Sequence, residues 1–398
     1  MSITVEDALK LKGLDKARLV AGEKGIKRRI QRVSVIECPE SPELFAAGDF
    51  FITAFYAFKD DEKAQFDIVK SLVDSGSSGL CIIDLYLSDV SDEIKQYANN
   101  VGYPIIILPN DVPYGEIITN IMNAIIQSKE ETIKEMLIDK LVNTDRNKEE
   151  IIEIVKQINP NFKEKMVAIF SRNWSRDVYK DILLLTTKIK IYSHWSLVKY
   201  RGGILFILTF YQENKSQVEF YIKEYLKELT NIDENFKIGI SNFHEGFHEF
   251  GIGIEEALIA VEISEKLNDR KMVFYRDLGL YKLLLPLKDQ PEIKSFKEEI
   301  INPIKKYDKE NSTNLLKTAI SYVENDGDLY KTAKDMFQHV NTIRYRINKI
   351  KEILHMEHLN NNNFYEQLSI AIKIYKLLDN KLNLDSTGEF AKCSKRVI

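Results

Sequence analysis

Three cysteines in 398 residues are too few and too scattered for chemistry of their own. Cys38, Cys81 and Cys393 are odd in number, with neither metal-site nor disulfide-framework spacing. That suits a reducing compartment, and no cofactor or metal is expected. Long hydrophobic runs are missing as well. Stretches such as Ile204–Phe210 and Ile105–Leu108 fall far below the ~20 residues of a membrane-spanning helix. The opening MSITVEDALKLKGL lacks a basic start, an apolar run and a cleavage site. A cytoplasmic protein with no membrane contact is expected. An excess of positive charge is also absent. The formal net charge of −4 excludes a protein that is basic throughout, so any nucleic-acid binding must be local. Ala21–Lys27, AGEKGIK, lacks the glycine spacing and the Lys-Ser/Thr ending of a phosphate loop.

One stretch is locally basic. Asp328–Lys351 reads DLYKTAKDMFQHVNTIRYRINKIK, a short helix over Tyr330–Met336, a turn, and a longer helix with Asn341 as its N-cap. Ile343, Ile347, Ile350 and Leu354 fall at i, i+4, i+7 and i+11, a buried helical stripe. Asn341, Tyr345, Asn348 and Lys349 face away from it, with Arg344 and Arg346 on the flanks. Lys331, Lys334, Arg344, Arg346, Lys349 and Lys351 outnumber Asp328 and Asp335. The pattern is that of a helix-turn-helix, whose second helix enters the DNA major groove. An ordinary helix pair with a solvated basic face would read the same way.

A resemblance separates the two. HVNTIRYRINKI resembles the C-terminal signature of the purine-catabolism regulator (PucR) family and its relatives, the sugar-diacid (CdaR-like) regulators. His339, Asn341, Thr342, Arg344, Tyr345 and Arg346 match it. Val340 replaces a basic residue, and Phe337-Gln338 replaces a polar-apolar pair. VAGEKGIKRRIQRVSVIE, PELFAAGDFFITAF and GYPIIILP resemble the N-terminal domain of the same family. The resemblance implies a sensory or interaction domain there and a DNA-binding output at the other end.

The rest of the chain is expected to be α/β and multidomain, in five segments. Residues 1–125 form a parallel α/β sensory domain, with strands at Arg32–Glu37, Phe50–Ala54, Leu80–Ile83 and Pro104–Leu108 and helices at Ala64–Ser75 and Val90–Asn100. Such sheets bind ligands beyond the carboxyl ends of their strands. Glu37, Thr53, Tyr56 and Asp84 are therefore the candidate ligand-binding residues, although strand-end polar residues often just face water. Residues 126–160 are a connector, part of a long helix Tyr114–Val142 with Ile117, Ile121, Ile125, Met136 and Leu137 near one side. It either links two domains or pairs with a second subunit.

Residues 161–285 read as α+β. Strands fall at Met166–Phe170, His194–Tyr200, Ile204–Phe210, Lys237–Ser241 and Met272–Tyr275. Helices fall at Val178–Lys188, Val218–Leu229 and Ile254–Leu267. The order is similar to the degenerate GGDEF-like domain that these regulators carry in mid-chain. A cyclase needs carboxylates for Mg²⁺ after the paired glycines, whereas Gly202-Gly203 is followed by Ile204-Leu205-Phe206. His244-Glu245-Gly246-Phe247-His248 matches HExxH, which binds zinc only from one face of a continuous helix. Gly246 inside it, with Gly251 and Gly253 beyond, makes this a loop.

Residues 286–384 form an all-α domain around the helix-turn-helix, with supporting helices at Phe296–Tyr307, Asn314–Asn325 and Phe364–Leu382. Residues 385–398 are a loose tail carrying Lys392, Lys395 and Arg396. The expected function is a metabolite-responsive transcription regulator, not an enzyme. Its partners would be double-stranded DNA, a small effector (a purine-catabolism intermediate by resemblance) and a second copy in a homodimer or higher homo-oligomer. Asn341, Thr342 and Tyr345 would meet base edges. Arg344, Arg346 and Lys349 would mostly hold phosphates, with His339 beside them. The rivals are an enzyme built on the middle domain and a helix-turn-helix that binds protein.

Overall fold

The structure is a computed structural model that describes residues 2–37, 44–143, 147–211, 215–267 and 271–379. Cys38, Cys393 and the basic tail residues lie outside them. The chain divides into two compact units, Met1–Leu137 and Ile138–Ile398.

The first unit begins with β1 (Ile3–Thr4), α1 (Val5–Ala8), β2 (Arg18–Ala21), β3 (Arg29–Ile30) and β4 (Arg32–Val35). β5 (Asp49–Thr53), α2 (Glu62–Asp74), β6 (Gly79–Asp84), α3 (Asp92–Val101) and β7 (Ile105–Pro109) follow. The main sheet has the order β2-β7-β6-β5-β4. β4, β5, β6 and β7 run parallel, as expected. The sheet is nevertheless mixed, because β2 pairs antiparallel with β7 at one edge. Helices cap cleanly: the Asp61 side chain accepts from Ala64 N–H at the start of α2, and Ser91 does the same for Ile94 in α3. Alternate strand residues feed two cores. Phe51, Leu80, Ile82, Ile105 and Ile107 face α2 and α3. Phe50, Ile52, Cys81, Ile83 and Ile106 face the other side. There they meet Ile117, Ile121 and Ile125 of α4 (Tyr114–Val142). At the start of β4, Arg32 forks onto the carboxylate of Asp49 at 2.8 and 2.7 Å, so that buried charge is paired.

The connector is not one helix. α4 ends at Val142, and α5 (Lys148–Ile158) is a separate helix with Asn147 as its cap. Met136 is 59% exposed, while its neighbour Leu137 is buried, so it does not share the buried side.

In the second unit come β8 (Lys165–Arg172), α6 (Val178–Lys188), β9 (Trp195–Tyr200), β10 (Gly203–Phe210) and α7 (Lys215–Ile232). β11 (Lys237–Ile240), β12 (His244–Glu245), α8 (Phe250–Leu267) and β13 (Met272–Phe274) complete the sheet region. The order is β13-β11-β8-β10-β9, with β12 also on β8. β9 and β10 form the expected hairpin, with Tyr200 opposite Gly203. Val167, Ile169, Ile204, Phe206 and Leu208 share a core with Leu185 of α6 and Tyr225 of α7. α8 lies on the other face and presses closely on β11. A Cβ on Gly239 would stand 2.1 Å from the Ala257 carbonyl oxygen, so only glycine fits there.

The remaining elements are α9 (Tyr281–Leu284), α10 (Pro291–Asn311), α11 (Leu315–Glu324), α12 (Leu329–Asp335), α13 (Val340–Ile353) and α14 (Asn361–Leu378). One core holds Ile300 and Ile304 of α10, Ala319 and Val323 of α11, Ala333 of α12, Ile343, Ile347 and Ile350 of α13, and Leu368 and Ile372 of α14. A second core joins Ile374 and Leu377 of α14 to Ala260 and Ile263 of α8. Lys266 Nζ adds a 3.1 Å bond to the Leu377 carbonyl. No helix among the described residues is long and apolar enough to cross a membrane.

Candidate nucleic-acid interface and strand-end cleft

α13 has 14 residues, a length at which an isolated helix is marginal in water. Its stability comes from Ile343, Ile347 and Ile350, all buried. Each is worth roughly 1.5–3 kcal/mol against exposure. The stripe is the one read from the sequence, except that Leu354 is only half-buried at the C-cap. The N-cap differs. It is His339, whose Nδ1 accepts from the Asn341 N–H at 3.2 Å. Asn341 is the second residue of the helix, and its side chain remains on the outer surface. α12 is capped by Asp328, which accepts from Tyr330 and Lys331 N–H.

The turn between the helices closes through Gln338 N–H to the Ala333 carbonyl at 2.9 Å. Phe337 takes a left-handed conformation there, with φ of 53°, and its ring is 93% exposed. A side chain in that region costs roughly 1–2 kcal/mol, a position glycine usually fills. The sequence marked Phe337-Gln338 as a departure from the signature but did not reveal the ring's exposure.

Asn341, Arg344, Tyr345 and Asn348 form the exposed ridge of α13, and Thr342 is half-buried beside them. Tyr345 is 68% exposed. Arg344 Nη1 reaches Asn341 Oδ1 at 3.3 Å along this ridge. Three other cations are engaged within the domain. Arg346 Nη1 donates to Thr318 Oγ1 of α11 at 3.2 Å. Lys349 Nζ pairs with Glu352 at 2.9 and 3.0 Å, and the carboxylate raises the ammonium pKa. Lys351 Nζ donates to Asn361 Oδ1 at 2.8 Å. Lys331 and Lys334 are exposed on α12.

The four strand-end residues separate. Glu37 and Tyr56 line a cleft of about 540 Å³ together with Val35, Ala54, Tyr86 and Tyr114. Thr53 is buried, and its Oγ1 accepts from the Phe55 N–H at 2.9 Å, so it shapes the turn after β5. Asp84 is exposed at the end of β6 and does not line the cleft. Tyr86 and Tyr114 were missed because one sits in the loop after β6 and the other opens α4, outside the strand-end rule. Glu37 Oε1 accepts from Ala54 N–H at 2.8 Å and from the Tyr114 hydroxyl. Burial first, and then the Glu37 carboxylate, push the Tyr114 phenol well above its ordinary value, so it stays a donor.

His244 and His248 do not share a helix. His244 is on β12, and His248 lies in a short 3₁₀ turn before α8. His244 Nε2 bonds Glu256 at 2.9 Å and Nδ1 bonds Glu249 at 3.2 Å. These bonds, led by that to Glu256, raise the imidazole pKa. The glycine pair stands in the β9–β10 turn, followed by buried Ile204, Leu205 and Phe206.

Comparisons with known proteins meet the two ends of the chain. Residues 7–125 match the purine catabolism regulatory protein-like family, and residues 315–374 match the PucR C-terminal helix-turn-helix domain. Three curated relatives come from Bacillus subtilis (strain 168). The purine catabolism regulatory protein is 24% identical over 136 residues, 34% of this chain and 26% of that protein. The proline-responsive transcriptional activator PutR is 24% identical over 246 residues, 58% of this chain and 59% of that protein. The DNA-binding transcriptional activator AdeR is 24% identical over 151 residues, 37% and 36% of the two chains. The matched stretches cover less than two thirds of each relative.

Proposed function

The chain carries a PucR-family domain near its start and a PucR C-terminal helix-turn-helix domain near its end, and from that premise we propose that it is a transcription regulator. It binds double-stranded DNA through α13 and responds to a small molecule through residues 1–125. The observation that carries this reading is the outer ridge of α13, where polar Asn341, Arg344, Tyr345 and Asn348 stand exposed above a fully buried isoleucine stripe.

Asn341, Thr342 and Tyr345 meet base edges, and His339 adds a contact at the turn. Arg344 holds a phosphate or forks onto a guanine. Arg346 and Lys349 reach phosphates only by giving up Thr318 and Glu352. Two copies place their α13 helices on half-sites about 34 Å apart, which makes a homodimer the functional form. The sheet region of the second unit is a degenerate GGDEF-like domain without catalysis, since apolar residues follow the β9–β10 turn. The targets are operons for catabolism or transport, with purine degradation first among them. The relatives' names alone do not choose, since one is named for purine catabolism and another for a response to proline.

The test is to map where the full chain binds on its own genome, then titrate the recovered fragments in a mobility-shift assay. A palindromic site with half-sites one helical turn apart supports the reading. Binding with no sequence preference, or none at low salt, refutes it.

A further inference from the structure

The strand-end cleft of the first unit holds one carboxylate in an aromatic surround. Among the described residues, two bonds fix Glu37 and both fall on its Oε1, one from the Ala54 N–H and one from the Tyr114 hydroxyl. They hold the group rigidly and leave Oε2 as an acceptor for something else. The remaining lining is Val35, Ala54 and the rings of Tyr56, Tyr86 and Tyr114. Among the described residues no lysine, arginine or histidine lines the cleft itself, and Lys59 stands over the Tyr56 and Tyr86 rings and not at Glu37. A phosphate or carboxylate placed at Glu37 would therefore meet charge of its own sign.

The volume, about 540 Å³, lies within the usual span for small-molecule sites, about 300–1,000 Å³. Tyr56 and Tyr86 stand with ring centroids 5.0 Å apart and tilted by 56°. They keep 56% and 47% of their surface exposed, although tyrosine is a large group to leave in water. This pair already attracts an ammonium. Lys59 Nζ lies 5.0 Å from the Tyr56 centroid and 5.6 Å from that of Tyr86. Ring faces draw cations through their quadrupole, most strongly where water is excluded.

We infer that this cleft binds a small organic cation, a protonated amine on a compact apolar or aromatic body. Its nitrogen sits at Glu37 Oε2, and its body packs against Tyr56, Tyr86 and Tyr114. This rests on reading the N-terminal domain as the sensory end, and it narrows the effector to one charge class. A bound cation also competes with Lys59 for the same rings. Lys59 caps the short turn Tyr56–Phe58 that follows β5, so occupancy is coupled to the placing of that turn.

The test uses the full chain and three probes of equal shape: benzylamine, benzyl alcohol and benzoate, each titrated by calorimetry or ligand-observed NMR. Benzylamine is expected to bind at least tenfold more tightly than benzyl alcohol, and benzoate not at all. Glu37→Gln keeps an oxygen for Ala54 and Tyr114 but removes the charge. It should weaken benzylamine at least tenfold and leave benzyl alcohol unchanged. Tyr86→Leu, at an exposed position, should weaken benzylamine with the melting temperature intact. Equal binding of the three probes, no binding of benzylamine, or benzylamine binding untouched by Glu37→Gln would each overturn the assignment. Mobility shifts on the same variants without probe keep the two readings apart. Intact DNA binding beside a silent cleft sinks the cleft alone, and lost DNA binding beside a working cleft sinks the regulator alone.

Discussion

Arg344 and Arg346 are two residues apart in sequence but differ in environment. Arg344 is exposed on the outer ridge, and Arg346 turns inward onto Thr318, which is fully buried. We expect Arg344→Ala to leave urea stability unchanged. It should weaken DNA binding and flatten the slope of log K against log salt by about one unit. Arg346→Ala should instead destabilise the second unit, on the order of 1 kcal/mol for a charge-assisted hydrogen bond at a partly exposed site. An Arg346→Ala chain with full stability and a lowered salt slope would show that the side chain serves DNA. From the sequence alone both arginines read as flanking cations. The 3.6-residue period fixes the direction of a side chain around its own helix, but it carries no information about a hydroxyl waiting on α11.

At the level of elements, the join between β12 and α8 is tuned to pH. The fold raises the His244 pKa above the ordinary 6.5, chiefly through the bond to Glu256. Burial pushes the Glu256 carboxylate up, but His244 and the Asn242 donors outweigh it, and its pKa ends below the ordinary 4.5. A raised histidine contributes fully below 6.5 and loses its contribution as pH rises through the folded value. A depressed carboxylate contributes above 4.5 and fades as pH falls through its own folded value. The cluster should therefore stabilise most between those two values. Melting temperatures across pH 5 to 9 should fall less steeply for His244→Gln than for the parent chain, and identical slopes would exclude the cluster as the source. The sequence showed HExxH and its glycines, which was enough to reject a zinc helix. It gave no sign of Glu256, twelve residues on, because the return of α8 across β11 is a tertiary event. The same limit explains β2. Its short run was unremarkable until the antiparallel edge of β7 gave it a partner. The bounds of α4 and α6 and the buried stripe of α13 were readable because helical period is local, although period misplaced Met136 on α4, which is exposed.

Across the whole molecule, the boundary drawn from sequence between residues 285 and 286 does not separate two bodies. α14 buries Leu368 and Ile372 among the helix-turn-helix helices, and buries Ile374 and Leu377 against α8. In the sequence Leu368, Ala371, Ile372, Tyr375 and Leu378 fall at helical spacing as one apolar face, and the structure divides the buried residues of α14 between two cores. Residues 138–398 should accordingly unfold together. Ile374→Ala, a cavity worth about 2–5 kcal/mol, should lower the one calorimetric transition of residues 138–398 without splitting it, and separate transitions for residues 138–285 and 286–379 in the parent chain would contradict this. The engagement of Arg346, Lys349 and Lys351 within their own domain has a bearing on how a site is found in a crowded genome. Affinity for arbitrary sequence is mostly phosphate neutralisation. If α13 reads DNA as proposed, a helix whose cations are largely spoken for, on a chain of net charge −4, should let go of indifferent DNA quickly. The search would then run by brief visits with little sliding, leaving few copies held on the bulk chromosome.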